Sequence, residues 1–328
     1  MDTATRMQPE ALDRMDVFVE TCRRRLVDRL SASREGAMVA DYFKNGKMIR
    51  SRLVFASASA VGGDPARVMC AAEAIELIHG ASLFHDDLID EANYRRGLPA
   101  LHRRVSVSGA IVLGDYLILR AFSVLCEGRE VVRAGDVLDT VRILSVQAQA
   151  CCRGQFQELE QSGAITSERD YITMVRGKTA APFVAAATTG ALLAGGGGQE
   201  RDALAAYSLN LGVAFQICDD MLDLCADSQT LGKPTGNSLA RQRPLLPLIF
   251  LHSHGSKEAQ AEWAALRQRG GTRRDLLPIL RREGIDKRVR AAQDAHMAAA
   301  LAALKEMRDT DGLRALQELP KYAVACWK

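Results

Sequence analysis

His79-Gly-Ala-Ser-Leu-Phe-His-Asp-Asp-Leu-Ile-Asp90 closes a long apolar run, Ala71 to Phe84, with three aspartates: Asp86, Asp87 and Asp90. The run is rich in good helix formers, so the stretch reads as a helix. At about 100° per residue, Ile75, His79, Ser82, Asp86 and Asp90 fall within an arc of roughly 80°. One helix face therefore ends in carboxylates and continues beneath them as small and apolar side chains. Such a face suits hard cations at one end and an oily molecule along its length. An acidic cluster is ordinarily a solvated face. Here an apolar stripe leads into the acids, where a solvated face would be polar throughout.

Gln216-Ile-Cys-Asp-Asp-Met-Leu-Asp223 repeats the device, with the same Asp-Asp-x-x-Asp spacing after the apolar run Leu209 to Ile217. Gly212, Gln216, Asp219, Asp220 and Asp223 lie on one side of a helical projection. One short acidic pattern arises easily by chance; two at the ends of apolar helices do not. Six carboxylates converging without cations would repel severely. Oxygen-only ligands select a hard ion such as Mg²⁺, which is usually held by a few carboxylates plus substrate phosphates. A phosphorylated substrate is therefore expected.

These stretches resemble the trans-polyprenyl diphosphate synthases, the head-to-tail isoprenoid chain-elongating enzymes. The resemblance runs from about Lys44 to Pro247 through Gly46-Lys-Met-Ile-Arg50, His79 to Asp90, Arg95-Arg-Gly97, Lys178-Thr179, Gln216 to Asp223 and Leu231-Gly-Lys233, in the family's order. It implies an all-α class I isoprenoid synthase fold. That is one domain over residues 1–328, a bundle of roughly ten to thirteen mostly antiparallel helices around a deep central cavity, paired as a homodimer.

The resemblance also assigns roles. Asp86, Asp90 and Asp219 are the leading Mg²⁺ ligands, supported by Asp87, Asp220 and Asp223, and three Mg²⁺ are expected with substrate bound. Lys47, Arg50, His79 and Arg96 would hold isopentenyl diphosphate. Arg95, Lys178 and Lys233 would reach the allylic diphosphate, and Gln216 and Thr179 would line the reacting region. Each basic residue alone is more often a surface residue, and a lone histidine on an apolar helix is ordinarily a satisfied core residue. Lys178 differs, because an interior lysine is rarely tolerated without an anionic partner. No dedicated protein base is needed, since the departing pyrophosphate can take the proton.

Two departures from the family pattern stand out. The family usually reads Gly-Lys-Arg-x-Arg-Pro near residue 46, where this chain has Met48 and Ser51. After Lys233 the family commonly has Gly-x-Asp, where this chain has Gly236-Asn237-Ser238. Short-chain members often place Phe or Tyr just before the first motif, where this chain has Ala81 and Ser82. Ser82 lies about 40° from Asp86, one turn deeper. Small residues there leave a tunnel open and predict a product of C20 or longer from a farnesyl or geranylgeranyl primer. The floor could be Ile78, Ile75 or Phe122. A short-chain farnesyl or geranylgeranyl synthase is the alternative. A class I terpene cyclase and a non-catalytic partner subunit are the rivals, disfavoured by the Asp219–Asp223 triad and by two intact aspartate motifs.

Size and composition agree. The 328 residues contain 48% hydrophobic but only 5% aromatic side chains, so Ala and Leu carry the apolar surface, as in closely packed helices. No Pro/Gly/Ser linker divides the chain. A net charge of +3 makes nucleic acid an unexpected partner. The eight cysteines lack metal-ligand spacing and read as free thiols in a reducing cytoplasm. Met1 to Glu20 is polar, unlike a secretory signal. No apolar run reaches 18 residues without a charge, so no transmembrane helix is expected, only transient membrane contact while a greasy product leaves. Glu91 to Arg104 reads as a polar loop, Pro182 should break or kink the helix around it, and the chain should end in a turn near Ala315.

Overall fold

The computed structural model describes residues 11–164, 166–225 and 237–324. Among them are thirteen helices of eight or more residues: α1 (Ala11–Ser31), α2 (Ile49–Ala60), α3 (Met69–Ile89), α4 (Val107–Glu127), α5 (Ala134–Gln161), α6 (Glu168–Val175), α7 (Ala181–Leu193), α8 (Gly198–Cys225), α9 (Leu246–His254), α10 (Lys257–Gln268), α11 (Arg273–Arg282), α12 (Ile285–Ala303) and α13 (Asp311–Ala323). The architecture is all-α.

Local chemistry sets the helix ends. Asp64 accepts from the Ala66 N–H at 2.9 Å and Pro65 follows it, starting the turn that leads into α3. Thr272 and Asp275 form a reciprocal capping box on α11. Gly195, with φ +86°, ends the segment after α7 in the left-handed region, as a glycine readily does. The final turn expected near Ala315 is a full helix, α13, with Leu313, Leu316 and Leu319 buried on one face. It packs on α1 and α2.

The apolar core is a continuous cluster built largely from α2, α3, α7 and α8. Small residues let these helices approach closely: a Cβ on Gly190 of α7 would lie 2.2 Å from the Val54 carbonyl oxygen of α2. The loop after α3 is more ordered than a polar loop. Tyr94–Arg95 pairs antiparallel with Leu98–Pro99, and Arg96 and Gly97 turn the hairpin at φ +53° and +79°. One stretch, Val107–Glu130, is long and apolar enough to cross a membrane. It carries Asp115 and Arg120, and its helix α4 packs lengthwise against α3.

Candidate active site

Both aspartate motifs occupy the C-terminal turns of their helices, α3 and α8. That is the negative end of the helix dipole, where acids are disfavoured and cations favoured. Six aspartates so placed raise the local demand for positive charge, and the protein meets part of it with arginine and lysine. Arg95 Nε donates to both oxygens of Asp87, at 3.0 and 3.1 Å. Asp87 is only 1% exposed. Burial pulls the Arg95 guanidinium down, but Asp87, Asp86 and Asp219 together hold it above its ordinary value. One cation therefore feels both motifs, so both lie within electrostatic reach of the Arg95 guanidinium. Asp90 is bound by the Arg243 guanidinium.

The second motif is braced from below. Asp220 accepts from Tyr171 Oη at 2.7 Å, Gln216 Nε2 at 2.8 Å and the Leu246 N–H at 3.4 Å. Burial pushes its carboxyl up to about 7 despite these donors. Asp223 accepts from the Ser238 N–H at 3.1 Å. Asp86 and Asp219 are half-buried. Among the described residues no three His, Cys, Asp or Glu side chains converge on one point as a closed metal cage. An all-oxygen, open donor set suits an ion that completes its shell with water and substrate phosphate.

Lys178 and Thr179 lie in a π-helical turn, Arg176–Ala180, between α6 and α7. The α-helical donor to the Lys178 carbonyl would be residue 182, which is proline and has no N–H. The Cys151 thiol on α5 donates there instead, at 3.2 Å. The turn is wedged between two glycines: a Cβ on Gly154 of α5 would sit 2.2 Å from the Lys178 nitrogen, and one on Gly212 of α8 would sit 2.6 Å from Ala180 Cα. Thus the break expected at Pro182 is an extra residue in the turn, which re-aims two side chains. Lys178 Nζ donates to Glu158 at 2.6 Å, and Thr179 Oγ1 to Gln216 Oε1 at 2.7 Å. Burial pulls the Lys178 ammonium down, but Asp86 and Glu158 hold it above its ordinary value.

A second basic group forms beside α3. Arg50 Nη1 lies 3.1 Å from His79 Nε2, and its guanidinium stacks 4.9 Å from the Phe183 ring. Arg50 Nε is buried with no hydrogen-bond partner. Burial, then Arg50, Arg96 and Arg95, push His79 well below the usual imidazole range, so its ring is neutral. Arg96 Nη1 donates to the carbonyls of Tyr42 and Asn45. Lys47 is exposed, its Nζ 5.8 Å from the Tyr322 ring. Met48, where the family carries a basic residue, is buried with φ +46° at the N-cap of α2. Ser51 donates to Glu76 Oε1 through both N–H (3.0 Å) and Oγ (2.8 Å), which the family's proline could do with neither group.

Of the residues singled out from sequence, Leu231, Gly232, Lys233 and Gly236 lie outside the described residues. Ser82 and Ile78 are half-buried on the face of α3 that carries Asp86, with Ser82 Oγ bonded to the His79 carbonyl at 2.8 Å. Ala81 is 0% exposed and packed in the core. Ile75 is also buried, and Phe122 packs against the core. Sequence reasoning missed Glu158, Arg243, Tyr171 and Glu76. Glu158 had one signal, since an interior lysine demands an anion. Arg243 had none, because its partner is 153 residues away. A cavity of about 1210 Å³ lies beside Arg243 among Leu248, Ile249 and Trp263, and no aspartate of either motif lines it.

The polyprenyl synthetase family model matches residues 35–280. The chain belongs to the polyprenyl synthetase family. A short chain isoprenyl diphosphate synthase of Methanothermobacter thermautotrophicus is 34% identical over 85% of this chain and 86% of its own length. The octaprenyl diphosphate synthase of Escherichia coli is 33% identical over 85% of each. A polyprenyl synthase of Caulobacter crescentus, solved with calcium and isoprenyl diphosphate, superposes with a TM-score of 0.85 at 28% identity, covering 97% of this chain and 99% of that one. The polyprenyl synthetase is thus a prenyltransferase acting on isoprenoid diphosphates, with the all-α fold of its relatives. These relatives are named as synthases, neither as cyclases nor as non-catalytic subunits.

Proposed function

We propose that the enzyme condenses isopentenyl diphosphate head to tail with a farnesyl or geranylgeranyl primer in a Mg²⁺-dependent reaction, releasing pyrophosphate and an all-trans product of C20 or longer. The observation that carries this reading is Arg95, a half-buried cation hydrogen-bonded to both oxygens of Asp87 on one helix end and within electrostatic reach of Asp86 and of Asp219 on the other. Bound Mg²⁺ would offset the charge that develops on the leaving pyrophosphate. We assign it to Asp86, Asp90 and Asp219, with Asp87, Asp220 and Asp223 in support, and expect three ions with substrate present. The Caulobacter relative's calcium is another hard, oxygen-seeking cation.

Arg95, Lys178 and Lys233 bind the allylic diphosphate, and Arg243 joins them. Glu158 holds Lys178 in place until substrate arrives. Thr179 and Gln216, bonded to each other, line the reacting region. Lys47, Arg50, His79 and Arg96 bind isopentenyl diphosphate, with Arg giving bidentate phosphate contacts and neutral His79 a hydrogen bond. The surrounding apolar helices exclude water from the allylic cation. The proton lost after the double bond attacks goes to the departed pyrophosphate.

One feature supports a long product: Ser82, the residue one turn below Asp86, is small and half-buried. The Methanothermobacter relative favours a shorter one by its name, and the Escherichia coli relative a longer one. We place the chain in the cytoplasm, as one domain, working as a homodimer with transient membrane contact when product leaves. Val107, Ile111, Val112 and Leu119 on α4 and Leu138, Val146 and Phe156 on α5 are exposed apolar side chains that a second copy would cover.

Mass spectrometry of products from isopentenyl diphosphate with each primer, with and without Mg²⁺, tests this. Elongation that needs the cation and passes C20 is expected. No elongation from either primer, nor from a dimethylallyl or geranyl primer, overturns the activity; elongation of the shorter primers that stops at C15, with none from the farnesyl primer, overturns the chain length. Ser82→Phe should shorten the product; an unchanged spectrum would remove Ser82 from the path of the tail.

A further inference from the structure

The segment between α1 and α2 that leads into Lys47 and Arg50 has an unusual backbone. Six consecutive carbonyls, Tyr42 to Lys47, each accept a hydrogen bond from an arginine side chain. Arg23 of α1 reaches three of them: Phe43 (3.4 Å), Lys44 (3.2 Å) and Gly46 (2.9 Å). Arg96 of the hairpin reaches Tyr42 (2.6 Å) and Asn45 (2.9 Å). Arg52 of α2 reaches Lys47 at 3.2 Å, where Tyr322 Oη of α13 also donates, at 3.4 Å. No two of these arginines come from the same element.

The donors are themselves held. Arg23 Nε pairs with Glu20 at 3.0 Å. Arg52 is 7% exposed, pairs with Asp16 and stacks 4.6 Å from the Tyr322 ring. Gly46, at φ +131°, passes so near Arg96 that a Cβ there would lie 2.9 Å from the guanidinium carbon. A row of carbonyls beside an anion site presents partial negative charge to the substrate. Guanidinium groups cancel that charge and fix the backbone, so the ordering of Lys47 and Arg50 is complete before the diphosphate arrives. Arginine suits the task because one planar group carries five donors in a fixed fork, where lysine offers a single point charge.

We propose that Arg23 and Arg52 are positioning residues for the isopentenyl diphosphate site, acting on Lys47 and Arg50 through the Tyr42–Lys47 backbone. This rests on the assignment of Lys47 and Arg50 to that substrate. Neither arginine belongs to the family signature that first marked the site. Arg96 works both on the loop and on the substrate, whereas Arg23 works on the loop alone.

The test is Arg23→Lys and Arg23→Ala in the full chain, read by amide hydrogen exchange across residues 42–48 and by KM for each substrate. Faster exchange confined to that segment is expected. The KM for isopentenyl diphosphate should rise roughly tenfold in Arg23→Ala, against at most about twofold for the allylic primer. Arg23→Lys should fall between, because one ammonium cannot span three carbonyls, and it serves alone if the alanine variant fails to fold. Unchanged exchange overturns the proposal. So does a parallel rise in both KM values, or faster exchange with no change in the isopentenyl KM. A wild-type chain that elongates nothing would sink the functional reading, and the exchange result would still show whether Arg23 holds the loop.

Discussion

At the scale of single residues, the site depends on groups whose charge is set by burial. His79 is neutral because burial and then three neighbouring arginines disfavour imidazolium. Its folded pKa lies below the unfolded value near 6.5, so below about pH 6.5 the unfolded chain binds a proton that the folded chain refuses. Stability contributed here is present above that pH and is lost as pH falls. Denaturant midpoints measured from about pH 7.5 to about pH 5.5 should therefore drop faster for wild type than for His79→Gln. Parallel declines would mean that His79 titrates as an exposed histidine. Ser51 makes a comparable case for hydrogen bonding. Its N–H and Oγ both serve the buried Glu76, which is 3% exposed and helps balance Arg50 and Arg96. Ser51 lies in the first turn of α2, where helical N–H groups have no intrahelical partner. Ser51→Pro would therefore disturb the helix little but strip two donors from Glu76. Unfolding free energy should fall by about 1–3 kcal/mol. An unchanged value would show that Glu76 finds other donors.

At the scale of elements, the decisive object is the π-helical turn between α6 and α7. It holds Lys178 and Thr179 because α5 and α8 approach its backbone through Gly154 and Gly212. Gly154→Ala puts a methyl 2.2 Å from the Lys178 nitrogen, which neither backbone can relieve locally. A loss of about 1–3 kcal/mol is expected, with kcat falling as Lys178 moves off Glu158. Gly135, on the same helix α5, has open space around it, so Gly135→Ala is the control and should be neutral or slightly stabilising. If both substitutions behave alike, the close approach is not what holds the turn. Much of this region was legible in sequence. Lys178 on an apolar helix asks for an anion, and Pro182 asks for a break. Neither says that the break inserts a residue, because that depends on which donor the Lys178 carbonyl finds, and the donor, Cys151, is 27 residues earlier.

At the scale of the whole molecule, apolar side chains remain uncovered along α4 and α5, with Leu119 at 69% and Phe156 at 64% exposure. A second copy would bury them. Size-exclusion chromatography with light scattering should report twice the chain mass, and Leu119→Arg should lower it to one. A wild-type chain that is monomeric at every concentration sampled would remove the homodimer. Most of the helices, their order and the two acidic ends were readable in advance, because period and composition act over one or two turns, whereas α13 read only as a turn. The oxygen-only donor set is an expectation that residue type and spacing carry. What the chain could not declare by itself is pairing across distance. Arg243 meets Asp90, Arg23 meets the carbonyls before Lys47, and Ser51 meets Glu76 only after the helices have packed. Nothing in the local pattern selects those partners. Burial makes each bond worth forming, and burial is a property of the packed whole.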